Sequence, residues 1–136
     1  MENLFQMNFT REQVNGISNL GLAHIGDGVY ELMVRSYLCS KGNQTVKTLH
    51  RDSIRIVNAS TQAAVAGKLL PELTEEEMGY FRRGKNSHTH AAPKAATPQE
   101  YALATGLETL FGALYLYGRI DRLNQLFRKG IEENGL

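Results

Sequence analysis

From Ser18 to Glu133 the apolar residues recur three and four positions apart, and no stretch alternates apolar with polar as a half-buried strand would. That pattern restricts the chain to helices packed on helices, an all-α fold. The first strong segment, Ser18 to Cys39, carries Leu20, Leu22, Ala23, Val29, Leu32, Met33 and Leu38, and ends at Lys41-Gly42-Asn43, with glycine where a helix stop is expected. A second runs from Val46 to Leu70 with Leu49, Ile54, Val57, Ala63, Ala64 and Leu69 as its inner face, and Pro71 closes it. A third opens at Thr74, with Glu77 three residues on, and reaches Lys85. In such a capping box the hydroxyl and the carboxylate each satisfy a free backbone N–H. Residues 86–96 are polar, contain Pro93 and form a loop. Thr97, Pro98 and Glu100 start a fourth helix that Gly118 stops, and a last amphipathic helix spans Asp121 to Glu133, with Leu123, Leu126, Phe127 and Ile131 on one side.

The 136 residues hold no repeat and no linker, so residues 1–136 form one domain with a real core. The net charge is +1, which excludes nucleic-acid binding by overall charge and leaves only a local basic patch. The lone cysteine, Cys39, excludes an intramolecular disulfide and a multi-cysteine metal site. The first residues lack a secretory signal and no apolar run approaches membrane-spanning length, so a cytoplasmic protein without membrane partners is expected.

Two carboxylates stand apart. Asp27 is the only Asp, Glu, Lys or Arg between Gln13 and Tyr30, and Glu108 the only one between Tyr101 and Gly118. A carboxylate inside an apolar helix needs something to offset its desolvation. Asp27 is flanked by Gly26 and Gly28, each costing about 1 kcal/mol against alanine in a helix, a cost that close approach of another backbone would explain. Glu108 has Ala104 one turn before and Gly112 one turn after. If the two helices cross there, the acids meet in a crevice whose oxygen ligands suit Mg²⁺. A single buried acid can equally cap a helix, pair with an arginine or bond a tyrosine hydroxyl, and pattern alone does not bring the two together.

The segment Ala23-His24-Ile25-Gly26-Asp27-Gly28-Val29-Tyr30-Glu31 resembles the ribonuclease III signature, whose core reads E-F-L-G-D-A-V. The segment Thr105 to Leu116, TGLETLFGALYL, resembles that family's later helix D-x-x-E-A-L-I-G-A-I-Y-L. The two together, in order and on helices, are far more specific than either alone. The resemblance implies a ribonuclease III-like helical endonuclease domain that forms a homodimer. Two further acids of the family fall here on Leu20 and Ala23, and the Asp opening the later helix on Thr105, so only Asp27 and Glu108 of the acidic set remain. No double-stranded-RNA-binding domain is expected after the last helix. With the RRG-x-N segment at Arg82 to Asn86 and ATG-x-E at Ala104 to Glu108, the departures match the Mini-III branch, homodimeric enzymes linked to maturation of large-subunit ribosomal RNA.

By resemblance, Asp27 and Glu108 are the catalytic metal ligands for Mg²⁺, with Mn²⁺ able to substitute. Water activated by the metal would attack the phosphodiester of double-stranded RNA, leaving 5′-phosphate and 3′-hydroxyl ends. The implied substrate is precursor ribosomal RNA, with a possible ribosomal-protein or ribosome association. His24 takes the place of the family's aromatic at the dimer contact. For RNA binding, Arg82, Arg83, Lys85, Asn86 and His88, with Lys94 extending the patch, offer phosphate donors at a helix end running into a loop. The same cations could simply oppose a helix dipole. His88 and His90 are too isolated for a zinc site. Glu31 lies one turn from Asp27 and equally one turn from Arg35. Tyr30, Tyr115 and Tyr117 read as core or dimer contacts. The reduced acidic set leaves two other classes open: a catalytically silent RNA-binding module associated with ribosomes, and a helical protein-interaction domain.

Overall fold

The structure is a computed structural model that describes residues 2–87 and 95–136. His88, His90 and Lys94, and with them part of the expected RNA-binding patch, lie outside the described residues. Among the described residues the elements are all helical: α1 (Arg11–Asn15), α2 (Asn19–Ser40), α3 (Val46–Val57), α4 (Ala59–Leu69), a 3₁₀ turn (Leu70–Glu72), α5 (Glu75–Lys85), α6 (Pro98–Tyr117) and α7 (Ile120–Glu133).

Helix α6 is the hub. Its residues from Thr105 to Leu114 are buried, apart from Glu108, and α2, α4, α5 and α7 all pack on it. A helix apolar on every side belongs in a core. Its ends are written in the sequence as expected. Thr97 and Glu100 close a capping box, Pro98 sits in the first turn, and Gly118 ends the helix at φ +78°. Thr74 and Glu77 form the second box, at the start of α5.

Backbone contact fixes the α2–α6 crossing. A Cβ on Gly26 would sit 1.6 Å from the Glu108 carbonyl oxygen, and one on Gly112 would sit 2.0 Å from that of Leu22. On another side of α6, a Cβ on Gly106 would meet the Phe81 carbonyl at 2.8 Å, and one on Gly84 would meet Thr109 Oγ1 at 2.1 Å. The central helix is therefore clamped between α2 and α5 at spacings only glycine permits. Gly28 differs from the expectation: no atom lies within 4 Å of its would-be Cβ, so it marks open space rather than a crossing.

The structure corrects three expectations. The helix expected over Val46–Leu70 is two. Asn58 turns extended at ψ 157°, and its side-chain Nδ2 donates to the carbonyls of Ile54 and Arg55 at 3.2 and 2.8 Å. Its Oδ1 accepts from Thr61 N at 2.9 Å, so one residue stops α3 and caps α4. The break re-phases α3: Ile54 is 52% exposed, and Ile56 is the buried residue. On α2 the core stripe is Leu22, Gly26, Tyr30, Val34 and Leu38, four residues apart, while Leu20 and Leu32 face outward. The short α1, capped by Thr10 with Gln13, was not anticipated.

The tyrosines serve packing. Tyr30 is buried edge-on against Phe111 and Phe127, and its hydroxyl donates to the Ile56 carbonyl at 3.4 Å. Tyr115 donates to the Phe5 carbonyl, and Tyr117 shares a hydroxyl contact of 2.5 Å with Tyr80.

Gly26→Ala should destabilise the fold by several kcal/mol, because overpacking against rigid backbone costs about 1–3 kcal/mol or more. Gly28→Ala, in open space, should raise stability by up to about 1 kcal/mol through helix propensity. Urea unfolding of the two variants checks the contrast.

Candidate active site

Asp27 follows Gly26 on α2, and Glu108 is the residue whose own carbonyl Gly26 touches. The helix crossing therefore sets the two acids side by side, close enough for their carboxyl groups to interact directly. Gln62, in the second turn of α4, enters from a third direction, with its Nε2 donating to Glu108 Oε2 at 3.5 Å. Glu108 is partly buried, whereas Asp27 is exposed, contrary to the expectation that both sink into apolar surroundings. The crevice is thus closed on the Glu108 side and open to solvent beside Asp27 and Gly28.

Burial raises the Glu108 pKa most, and the Asp27 charge and a hydrogen bond with Asp27 raise it further. The Gln62 amide pulls it back, and the result is about 8. Glu77 supplies the contrast. It is 4% exposed, yet Arg122 grips both its oxygens at 2.8 Å and Thr74 N donates to it at 2.9 Å. Burial pushes its pKa upward, but those bonds outweigh burial and hold it below the usual carboxylate value. Among the described residues, no Lys, Arg or His forms an ion pair with Asp27 or Glu108.

Two adjacent carboxylates without a cation fit a divalent metal ion. The donors are oxygens and the open side leaves room for water. Mg²⁺ characteristically binds through one or two carboxylates and keeps several waters. Among the described residues no cluster of three or more His, Cys, Asp or Glu occurs, so two acids are the whole anionic set. Thr105, in place of the resembled family's Asp, turns its hydroxyl back to the Tyr101 carbonyl at 2.9 Å and adds no charge. Ala23 is buried and Leu20 is 39% exposed, so neither supplies a ligand.

The expected RNA-binding residues divide. Arg82, Lys85 and Asn86 are exposed at the end of α5, and none bonds to Asp27 or Glu108. Arg83 is turned inward. Its guanidinium donates to Asn19 Oδ1 at 2.7 Å, Asn15 Oδ1 at 3.3 Å and the Ile17 carbonyl at 3.4 Å, and lies over the Tyr80 ring. It ties α5 to the α1–α2 connection. Glu31 pairs with Arg35 at 2.8 Å on the surface. Sequence reasoning missed Gln62. Its signal was a long uncharged polar side chain among the alanines of the run ASTQAAVAGKL.

Glu108 also makes the stability of the metal-free protein depend on pH. Its folded pKa of about 8 exceeds the ordinary 4.5, so the folded state holds the proton more tightly than the unfolded state. Stability falls as pH rises from the unfolded value toward the folded one, and levels off above about 8. Denaturant unfolding in chelator across that range should show this loss for the native chain. Glu108→Gln should flatten it.

The chain is similar to known proteins over most of its length. The family model "Ribonuclease III domain" matches residues 20–119. A Mini-ribonuclease 3 of Symbiobacterium thermophilum is 47% identical over 109 residues, covering 80% of this chain and 84% of that protein. One from Clostridium tetani is 38% identical over 121 residues, covering 88% and 80%. The crystal structure of protein FN1578 from Fusobacterium nucleatum superposes with a TM-score of 0.77 at 32% identity, covering 86% of this chain and 93% of that one. Matched over most of its length by both the family model and these relatives, the chain belongs to the ribonuclease III family of endoribonucleases, in its Mini-ribonuclease 3 branch.

Proposed function

We propose that the chain hydrolyses double-stranded RNA with Mg²⁺ held by Asp27 and Glu108, Mn²⁺ substituting. One observation carries the reading: Glu108 is a partly buried carboxylate facing a second carboxylate, with no cation among the described residues bonded to either. The fold keeps this charge conflict although Glu77 demonstrates the ordinary remedy, a bidentate arginine. A divalent ion resolves it, and supplies activation of water and neutralisation of the phosphodiester oxyanions, to leave 5′-phosphate and 3′-hydroxyl ends. Glu108 anchors the site from the rigid hub helix. Asp27, exposed beside the open space at Gly28, faces the side from which a phosphate backbone can arrive.

Duplex RNA is gripped mainly through phosphates and 2′-hydroxyls, which needs cations not already spent on internal pairs. Arg82 and Lys85 meet that need at the end of α5, with Asn86 beside them as a neutral hydrogen-bonding group and His88 and Lys94 following in sequence. Arg83 contributes by holding α5 in place. The chain acts as a homodimer in the cytoplasm on precursor large-subunit ribosomal RNA, in association with the ribosome. Support for this comes from the family resemblance, and for the dimer also from the outward-facing Leu20, one turn from His24.

A long RNA duplex incubated with the protein and Mg²⁺ should be cut, and chelator should stop the cutting. Asp27→Asn and Glu108→Gln should each lower the rate more than about 100-fold, beyond what loss of a supporting neighbour typically costs. Cleavage by either variant at the native rate would refute the assignment. Arg82→Ala with Lys85→Ala should weaken duplex binding and flatten the log–log salt dependence by roughly 1 per lost contact. Arg83 is left intact there, because its loss would also loosen the fold.

A further inference from the structure

We propose that Gln62 is a positioning residue of the metal site, holding the Glu108 carboxylate toward Asp27 through its side-chain amide. The proposal rests on the assignment of Asp27 and Glu108 as metal ligands. Gln62 is 3% exposed, the one long polar side chain buried on α4, whose other buried residues are Ala63, Val65, Ala66 and Leu69. Burying a carboxamide costs free energy unless it is bonded, and a leucine or methionine of similar size would seal the α4–α6 seam without that cost. Among the described residues its only side-chain hydrogen bond goes to Glu108 Oε2, at 3.5 Å. That contact is long for an amide donor facing a carboxylate oxygen. It strengthens when the acceptor carries a full charge, since charge-assisted bonds are shorter and roughly twice as strong as neutral ones.

The backbone beneath Gln62 is fixed by the cap of α4. Gln62 N donates to the Asn58 carbonyl at 3.0 Å, inside the same cap in which Asn58 Oδ1 accepts from Thr61 N. Thr61 Oγ1 also donates across the break to the Arg55 carbonyl at 2.8 Å. The α3–α4 elbow, which interrupts what the sequence suggests as one continuous helix, thus sets the register that aims residue 62 at Glu108. With so few acids at the site, fixing the rotamer of the one on the hub helix matters more. Supporting hydrogen bonds to metal-binding carboxylates commonly govern affinity by 10–100-fold.

The test is direct titration with Mn²⁺ in the absence of RNA, following free ion by electron paramagnetic resonance, with thermal unfolding of the same metal-free samples. Gln62→Met and Gln62→Leu should bind Mn²⁺ about 10–100-fold more weakly, with Tm equal to or above that of the native chain. In duplex cleavage, the Mg²⁺ concentration for half-maximal rate should rise by the same factor, with kcat at saturating metal changed only a few-fold. A merely structural glutamine gives the opposite pattern, a lowered Tm with unaltered Mn²⁺ affinity, and that result overturns the proposal. Methionine, unbranched and of equal length, carries the test if leucine does not fold. Asp27→Asn and Glu108→Gln run alongside separate the two levels. Native affinity in those variants removes the metal assignment and this proposal with it. Lost affinity there, combined with native affinity in both Gln62 variants, removes only the role of Gln62.

Discussion

The touching of two helix backbones at Gly26 and Gly112 underlies the rest of the molecule. Helix axes normally stand 8–10 Å apart because side chains separate them. Here the Gly26 position lies directly against the Glu108 carbonyl, and Gly112 against that of Leu22. An acid following one contact glycine and an acid on the opposed backbone cannot be far apart. The pairing of Asp27 with Glu108 is therefore a consequence of core packing, and it needs no loop to assemble it. A site carried by two packed helices keeps its geometry as well as the core does.

That packing also makes the metal-free site costly. Glu108 is desolvated and faces a like charge, so its ionised form is disfavoured. Glu77 sits deeper and titrates lower because Arg122 and the α5 cap satisfy it. Both side chains are glutamates on helices next to the core, but Glu77 has a counter-charge and a cap bond where Glu108 has a like charge. If Asp27 and Glu108 hold a divalent ion as proposed, its binding would be linked to the loss of a proton from Glu108 and to the stability of the fold.

What the sequence made legible follows from how local each signal is. Caps and stops are written in three or four neighbouring residues, so the starts of α5 and α6 and the end of α6 were readable from Thr74-Glu77, Thr97-Glu100 and Gly118. The lone acids were readable because isolation within an apolar run is itself a sequence property. The roles of Asn58, Arg83 and Gln62 were not. Asn58 looks like an ordinary polar residue within a helical periodicity, and only the cap it makes in both directions reveals the break. Arg83 shares a basic run with Arg82 and Lys85, but its partners Asn15, Ile17 and Asn19 lie more than sixty residues earlier. Gln62 meets Glu108 across forty-six positions. Partnerships at that range depend on tertiary packing, which periodicity does not encode.

The short acidic set has a physical logic of its own. Thr105 is 7% exposed on the hub helix, one turn before Glu108, and its hydroxyl is satisfied by the Tyr101 carbonyl. A carboxylate there would be desolvated beside a glutamate already pushed up to about 8, adding a like charge with no cation to balance it. Apolar Ala23 and Leu20 likewise add no charge on the α2 side. Two carboxylates sum to two negative charges when ionised, the charge that one divalent ion cancels. Were such an ion held by Asp27 and Glu108 as proposed, the two described acids would leave most of its coordination shell to water and to oxygens from outside the chain. The site would then be open rather than a cage built fully from protein, and Asp27, exposed beside Gly28, marks the side on which that opening lies.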